Sequence, residues 1–435
     1  MDKLNENNET LDILDRSELY KANRNNKISD TDAQKFVDKI FENYFLDNDN
    51  INFLQMNGFN FFVFNDNELC FCLSAKKYSE CCKANLKKEV NENYIPYESS
   101  LTNKKTYLSY MEYSNALFEK HYKVLSKLEA CNWPECKSSS VENKLYNIDF
   151  SKKNFLTTNT INPMDNNYKM GEVFFKPATN KNFKFFGLCK EHNEMIDSIV
   201  ISKTSSDDEL LKLHFKPILY KAFLLKVQLE MLKEEFRNNF NSIKEEGFKS
   251  LFIYRLRKVS NQTSSLLNLL NDYKKNVLKN ESYEIIRMLL PSSETIKVYD
   301  LIYPQICPDD FRLVNSVNNV FVQENAATLI VVNDKSNSYI SFVYDTKNKA
   351  LNEFFKQYLK IIKNKAKSEA AFVSNCSLLF ADNVLFNEDF FKKITDEDKA
   401  LFSALNKFRY ENPNMGQEYL KMKFFAGFNK GNNFF

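Results

Sequence analysis

Four cysteines stand within thirteen residues, in the order Cys70-Phe71-Cys72-Leu73-Ser74-Ala75-Lys76-Lys77-Tyr78-Ser79-Glu80-Cys81-Cys82. A structural zinc ion takes four soft donors in a tetrahedron at about 2.3 Å, and a C-x-C arm folded against an adjacent Cys-Cys arm supplies them from one short loop. So small a segment buries no core of its own, so the metal would supply most of its folding free energy. Lys76 and Lys77 would offset part of the negative charge of four thiolates. With every position filled by sulfur, no place is left for water or substrate, and the metal reads as structural. A four-thiolate set also accepts iron. The plain alternative is four reduced thiols in a surface loop.

The pattern C-x-C-x-S-x-K-K-Y-x-x-C-C resembles the SEC-C motif, found at the C-terminus of the Sec-pathway translocase ATPase and appended to many other bacterial proteins. Ser74, Lys76, Lys77 and Tyr78 agree as well as the cysteines, whereas Leu73 and Ala75 replace the family's usual glycines. The resemblance covers these thirteen residues. It implies zinc as the metal, with iron sometimes considered, and an interaction module for other proteins or the ribosome.

A second constellation pairs Cys131-Asn-Trp-Pro-Glu-Cys136 with Cys189-Lys-Glu-His192 after a long insertion. The first pair brackets a tight turn at Pro134. The second, at i and i+3, presents both donors on one face of a helix's first turn. Knuckle and helix N-terminus together predict a treble clef and a second zinc ion of Cys3His type, for which Gly187 suits a close approach of backbone to metal. Core thiols and a surface histidine are the bland alternative. The layout resembles HNH-type nucleases, which add a histidine to activate water; Lys144 occupies that place. An ordinary lysine is protonated at neutral pH and cannot serve as general base, so a divergent nuclease would have to use Lys144, Glu142 or Asn143.

His121 and His214 lie in apolar-periodic helical segments, where packing histidines are commoner than catalytic ones. Cys307 and Cys376 stand alone and read as small buried residues. Asp207-Asp208 and Asp309-Asp310 suit helix caps and turns. The lysine-dense segment 356–367 reads as a solvated helix face.

Around these sites, 30–45 reads as a capped amphipathic helix with Phe36, Ile40 and Phe41 on one face, and Phe59 to Phe64 as a strand. Residues 105–130 and 207–280 are helical, with Pro217 the one breaker in the second stretch. Beyond 283, YEIIRMLL, NVFVQ, TLIVV and YISFVY read as strands, with NDKSNS a hairpin turn, then helices at 349–367 and 390–411. The fold class is α+β and multidomain: a partly disordered and then helical segment 1–65, the cysteine motif at 66–92, a helical region 105–282 holding the second knuckle, and an α+β domain 283–435.

The 435 residues carry 60 Lys+Arg against 57 Asp+Glu, so net charge draws the molecule to neither nucleic acid nor anionic lipid. Only 7 glycines occur, none in a phosphate-cradling pattern. The polar N-terminus and the lack of a long apolar run imply a cytoplasmic protein with no membrane partner. In that reducing setting nine cysteines are metal ligands or buried thiols. The expectation is a protein with two Zn2+ ions that binds a macromolecule, a protein partner first and nucleic acid second, with the HNH-like nuclease as alternative. Its end and middle helices faintly resemble bacterial proteins that pair SEC-C with a Cys/His knuckle; this implies a setting in stress or phage defence and no activity.

Overall fold

The computed structural model describes residues 64–100, 104–151, 154–157, 162, 176–276, 282–291, 296–305, 307–308, 310, 312–315, 323–334, 337–364 and 368–393. The helix expected at 30–45, most of the strand expected at 59–64, all but Gln323 of NVFVQ and the segment 394–411 lie outside these residues. In chain order the elements are helix α1 (Lys104–Leu128), strands β1 (Val141–Lys144), β2 (Phe155–Thr157), β3 (Lys176–Pro177) and β4 (Lys184–Leu188), and helices α2 (Lys190–Asp197), α3 (Asp207–Asn239) and α4 (Glu246–Asn276). Then come β5 (Tyr283–Pro291), β6 (Ile296–Ile302), β7 (Ala327–Asn333), β8 (Asn337–Asp345), α5 (Lys349–Asn364), α6 (Ser368–Asn375), β9 (Val384–Asn387) and α7 (Glu388–Lys393). The fold is mixed α+β.

Helix α3 shows how tertiary burial overrides local preference. Pro217 lies inside it without ending it, although an internal proline costs about 3 kcal/mol. Phe215, Ile218, Leu219 and Tyr220 are all buried around it, and burying one such side chain contributes roughly 1.5–3 kcal/mol. The helix starts with a capping box: Ser206 Oγ accepts the Glu209 N–H at 3.2 Å while Glu209 Oε2 accepts the Ser206 N–H at 2.8 Å. The acidic pair Asp207-Asp208 therefore fills the first turn, favourable for the helix dipole, and leaves capping to Ser206.

Two compact units divide the chain. One draws on Met1–Phe118, Gln228–Ser264 and Ser316–Gln323, the other on Glu119–Val227, Ser265–Asn315 and Glu324–Phe435. In the first unit Arg255 is buried with its guanidinium Nε 2.9 Å from Glu98 Oε1. Tyr110 accepts from Arg255 at 2.8 Å and itself donates to Glu235, which also accepts from Tyr94 at 2.7 Å. Desolvation dominates at Glu98 and pushes its carboxyl up to about 7, against the pull of Arg255.

The second unit holds a seven-stranded antiparallel sheet in the order β3-β2-β9-β6-β7-β8-β5. Strand β2, which precedes helices α3 and α4, joins β9 near the end of the described chain through Phe155↔Asn387 and Leu156↔Phe386, and carries β3 on its other edge. The β7–β8 turn is pinned where Asp334 Oδ1 accepts the Asn337 N–H at 2.6 Å. Helix α5 lays Phe354, Phe355 and Tyr358 into the sheet's core and turns Lys356, Lys360 and Lys363 outward, an amphipathic face with its charges solvated.

Candidate metal centres

The first cluster is a double-armed loop. An antiparallel bridge at Leu69↔Lys77 brings the arms together, and the Cys70 N–H donates to Lys76 O at 2.8 Å. The tip turns back on itself through Leu73 and Ala75, each at φ 59°, in the left-handed region that costs a side-chain-bearing residue roughly 1–2 kcal/mol. The glycine turn geometry survives there without glycine. The Cys72 and Cys81 sulfurs lie 3.5 Å apart, and Ser74 Oγ sits 3.2 Å from Cys81 Sγ.

A stack of aromatic rings seats this loop. Phe236 of α3 meets Phe71 at 5.1 Å and Phe64 at 6.4 Å between ring centroids, and Phe64 lies 4.9 Å from Tyr78. Arg257 of α4 covers the Phe64 ring at 4.4 Å and donates to Glu68 at 2.8 Å. Cys70 and Cys82 are buried, Cys72 and Cys81 partly so. Accepting the Cys82 hydrogen bond lowers the Cys70 thiol to about 5, while that same bond and then burial raise Cys82.

The second cluster is assembled from a knuckle, a strand pair and a helix. The knuckle turns with Glu135 at φ 62°, closed by Cys136 N–H to Trp133 O at 3.1 Å and Cys131 N–H to Ser138 O at 2.8 Å. Strand β1 pairs antiparallel with β4, which delivers Cys189 as the N-cap of α2 with His192 in its first turn. His192 Nδ1 lies 3.1 Å from Cys189 Sγ and 3.6 Å from Cys131 Sγ, and the Cys136 and Cys189 sulfurs are 4.0 Å apart. Trp133 stacks on the His192 ring at 5.1 Å and 16°. Burial raises the Cys131 thiol to about 11, whereas hydrogen bonds from Ser138 lower Cys136.

In each group the four ligand atoms lie within 4.8 Å of one another, and these are the metal-competent groups found among the described residues. A tetrahedron of about 2.3 Å metal–sulfur bonds has edges near 3.8 Å, which the observed separations match. The residues present fit a metal ion, and each set is complete at four donors.

The other candidates are committed elsewhere. His214 is buried, its Nδ1 2.6 Å from Thr328 Oγ1 and its Nε2 2.7 Å from Ser341 Oγ. The Thr328 hydroxyl also donates to Val343 O at 3.2 Å; it therefore accepts from Nδ1–H, and Nε2 accepts from Ser341. Burial lowers His214 to about 3, so it is neutral and joins α3 to the sheet. His121 is half-buried on α1, and Cys307 and Cys376 are buried thiols. Asn143 is buried with its amide bonded to Leu188, and Glu142 pairs with Lys184 at 2.8 Å. A Cβ at Gly187 would sit 3.4 Å from Leu219, an ordinary van der Waals contact.

Asn132, Glu129, Lys226 and Lys274, which surround the knuckle, were invisible as a group in the sequence. Asn132 adjoins a ligand, but Lys274 reaches it across 142 residues.

A family profile of the SEC-C motif matches residues 67–84, so this segment carries a SEC-C motif. No curated protein and no solved structure matches the chain.

Proposed function

We propose that the chain is a zinc protein with one ion in each cluster, which acts by holding another macromolecule, with a protein the favoured partner, and does not turn over a substrate. The observation that carries this reading is the completeness of both donor sets, four ligands each. A catalytic zinc keeps an open position for water or substrate. The order knuckle, strand pair, helix in the second centre suits a treble clef. All nine cysteines are free thiols, which suits a reducing cytoplasm, and no described helix is long and apolar enough to cross a membrane.

Elemental analysis of the purified protein is expected to find two zinc ions per chain. Cys81→Ser and Cys189→Ser should each remove one. Cleavage of DNA or RNA with Mg2+ or Mn2+, abolished by Glu142→Gln with zinc retained, would overturn the binding role in favour of an HNH-like nuclease. The stress or phage-defence setting is checked by phage plating on cells that produce the wild type or Cys81→Ser.

A further inference from the structure

Two lysines from different helices converge on the knuckle of the second cluster. Lys226 of α3 donates to Glu129 Oε1 at 2.7 Å, and the same oxygen accepts the Asn132 amide at 3.1 Å. Lys274 of α4 donates to Asn132 Oδ1 at 2.6 Å. Asn132 directly follows Cys131. Its backbone N–H donates to Gly187 O at 2.7 Å, and its amide also reaches Ala130 O at 3.2 Å and Gly187 O at 3.4 Å. Lys274 thus holds the oxygen of this amide, whose nitrogen side ties the knuckle to the strand that leads into Cys189.

The charges of Lys226, Lys274 and Glu129, the three side chains that meet at Asn132, do not cancel. Two ammonium groups against the Glu129 carboxylate leave one positive charge, in a place where Glu129 is 11% exposed and Lys226 26%. Withdrawing an ammonium from water is costly without a compensating negative charge. Burial, and then the neighbouring Lys226, press Lys274 below the ordinary lysine range, while Glu129 and Cys131 oppose them. Zn2+ bound by three thiolates and a neutral imidazole carries one negative charge. A loaded centre would place that negative charge beside Lys226 and Lys274.

We propose that Lys274 is a positioning residue of the second metal centre: through Asn132 it fixes the knuckle that carries Cys131, and its charge balances the anionic loaded centre. This rests on the reading of Cys131, Cys136, Cys189 and His192 as a metal site. The SEC-C cluster serves as an internal control.

The test uses the full chain loaded with zinc and challenged with a chelator, and in parallel loaded with cobalt(II), whose thiolate charge-transfer bands report the charge around the sulfurs. The portion of signal lost in Cys189→Ser identifies the second centre. Lys274→Met is expected to weaken metal retention there about ten-fold and to shift the cobalt bands, with the first centre unchanged. Lys274→Arg should restore both. Should Lys274→Met fail to fold, Lys274→Gln, which retains a donor for Asn132 but no charge, is expected to show the same band shift. Wild-type retention and wild-type bands in the neutral variants would overturn the assignment of Lys274. If instead the wild type takes up no metal that Cys189→Ser removes, the metal-site reading itself fails, and the role of Lys274 with it.

Discussion

Asn143 and Leu188 hold each other by a reciprocal pair of hydrogen bonds. The Leu188 N–H donates to Asn143 Oδ1 at 2.9 Å, and Asn143 Nδ2 donates to Leu188 O at 3.2 Å. Asn143 is buried and Leu188 directly precedes the candidate ligand Cys189, so the clasp sets the end of β4 and hence the start of α2. Asn143→Ala leaves both backbone groups without that partner. The expected cost is about 2–4 kcal/mol in denaturant unfolding, with metal lost from the second centre only. A wild-type midpoint with full metal content would contradict this role.

At the tip of the first cluster, Leu73 and Ala75 sit at φ 59° where glycine is the unstrained residue. Leu73→Gly and Ala75→Gly each relieve strain but add freedom to the unfolded chain, for an expected net gain of about 0.5–1 kcal/mol. Chelator resistance of the 67–84 segment should rise in the double variant. A fall would show that the Leu73 side chain contributes more by contact than its backbone loses.

Phe236 touches the rings of Phe64, Phe71, Tyr78, Phe240 and Phe252. Phe236→Ala is expected to cost about 3–5 kcal/mol and to open the segment to limited proteolysis even with metal bound. Retained protection would mean that the metal alone orders the loop.

The buried Glu98 sets a pH dependence. Its folded pKa, about 7, exceeds the ordinary carboxyl value of 4.5, so between these values the folded state binds more protons than the unfolded one. Stability contributed by this group is therefore fully present below about pH 4.5, falls as pH rises through 7, and levels off above. Glu98→Gln should remove that decline and make the protein more stable than wild type at pH 8. An unchanged slope between pH 5 and 8 would assign the titration elsewhere.

Both metal-competent clusters are legible in the sequence because their candidate donors come as close doublets: Cys70 with Cys72, Cys81 with Cys82, Cys131 with Cys136, Cys189 with His192. The helices Lys104–Leu128, Asp207–Asn239 and Glu246–Asn276 follow from apolar periodicity, as do the strands Tyr283–Pro291, Ala327–Asn333 and Asn337–Asp345. Ile296–Ile302 and Val384–Asn387 escaped: the first alternates only over its opening residues before the polar Asp300, and the second is a four-residue run with no alternation to read. Long-range pairings such as Phe155↔Asn387 and Lys274 with Asn132 leave no local trace, since the partners meet only once the chain has folded.

The separations within the two clusters set the order in which they can close. Cys72 and Cys81 are 9 residues apart, whereas Cys136 and Cys189 are 53 apart and Cys131 and His192 are 61 apart. Closing a loop about six times longer costs roughly 1.6 kcal/mol more in chain entropy, and the insertion it spans holds β2 and β3, which need β9 from near the end of the described chain. The donors of the first cluster can therefore come together while the chain is still short. The second draws together segments 53 to 61 residues apart, and so has to wait for the β1–β4 pair to form.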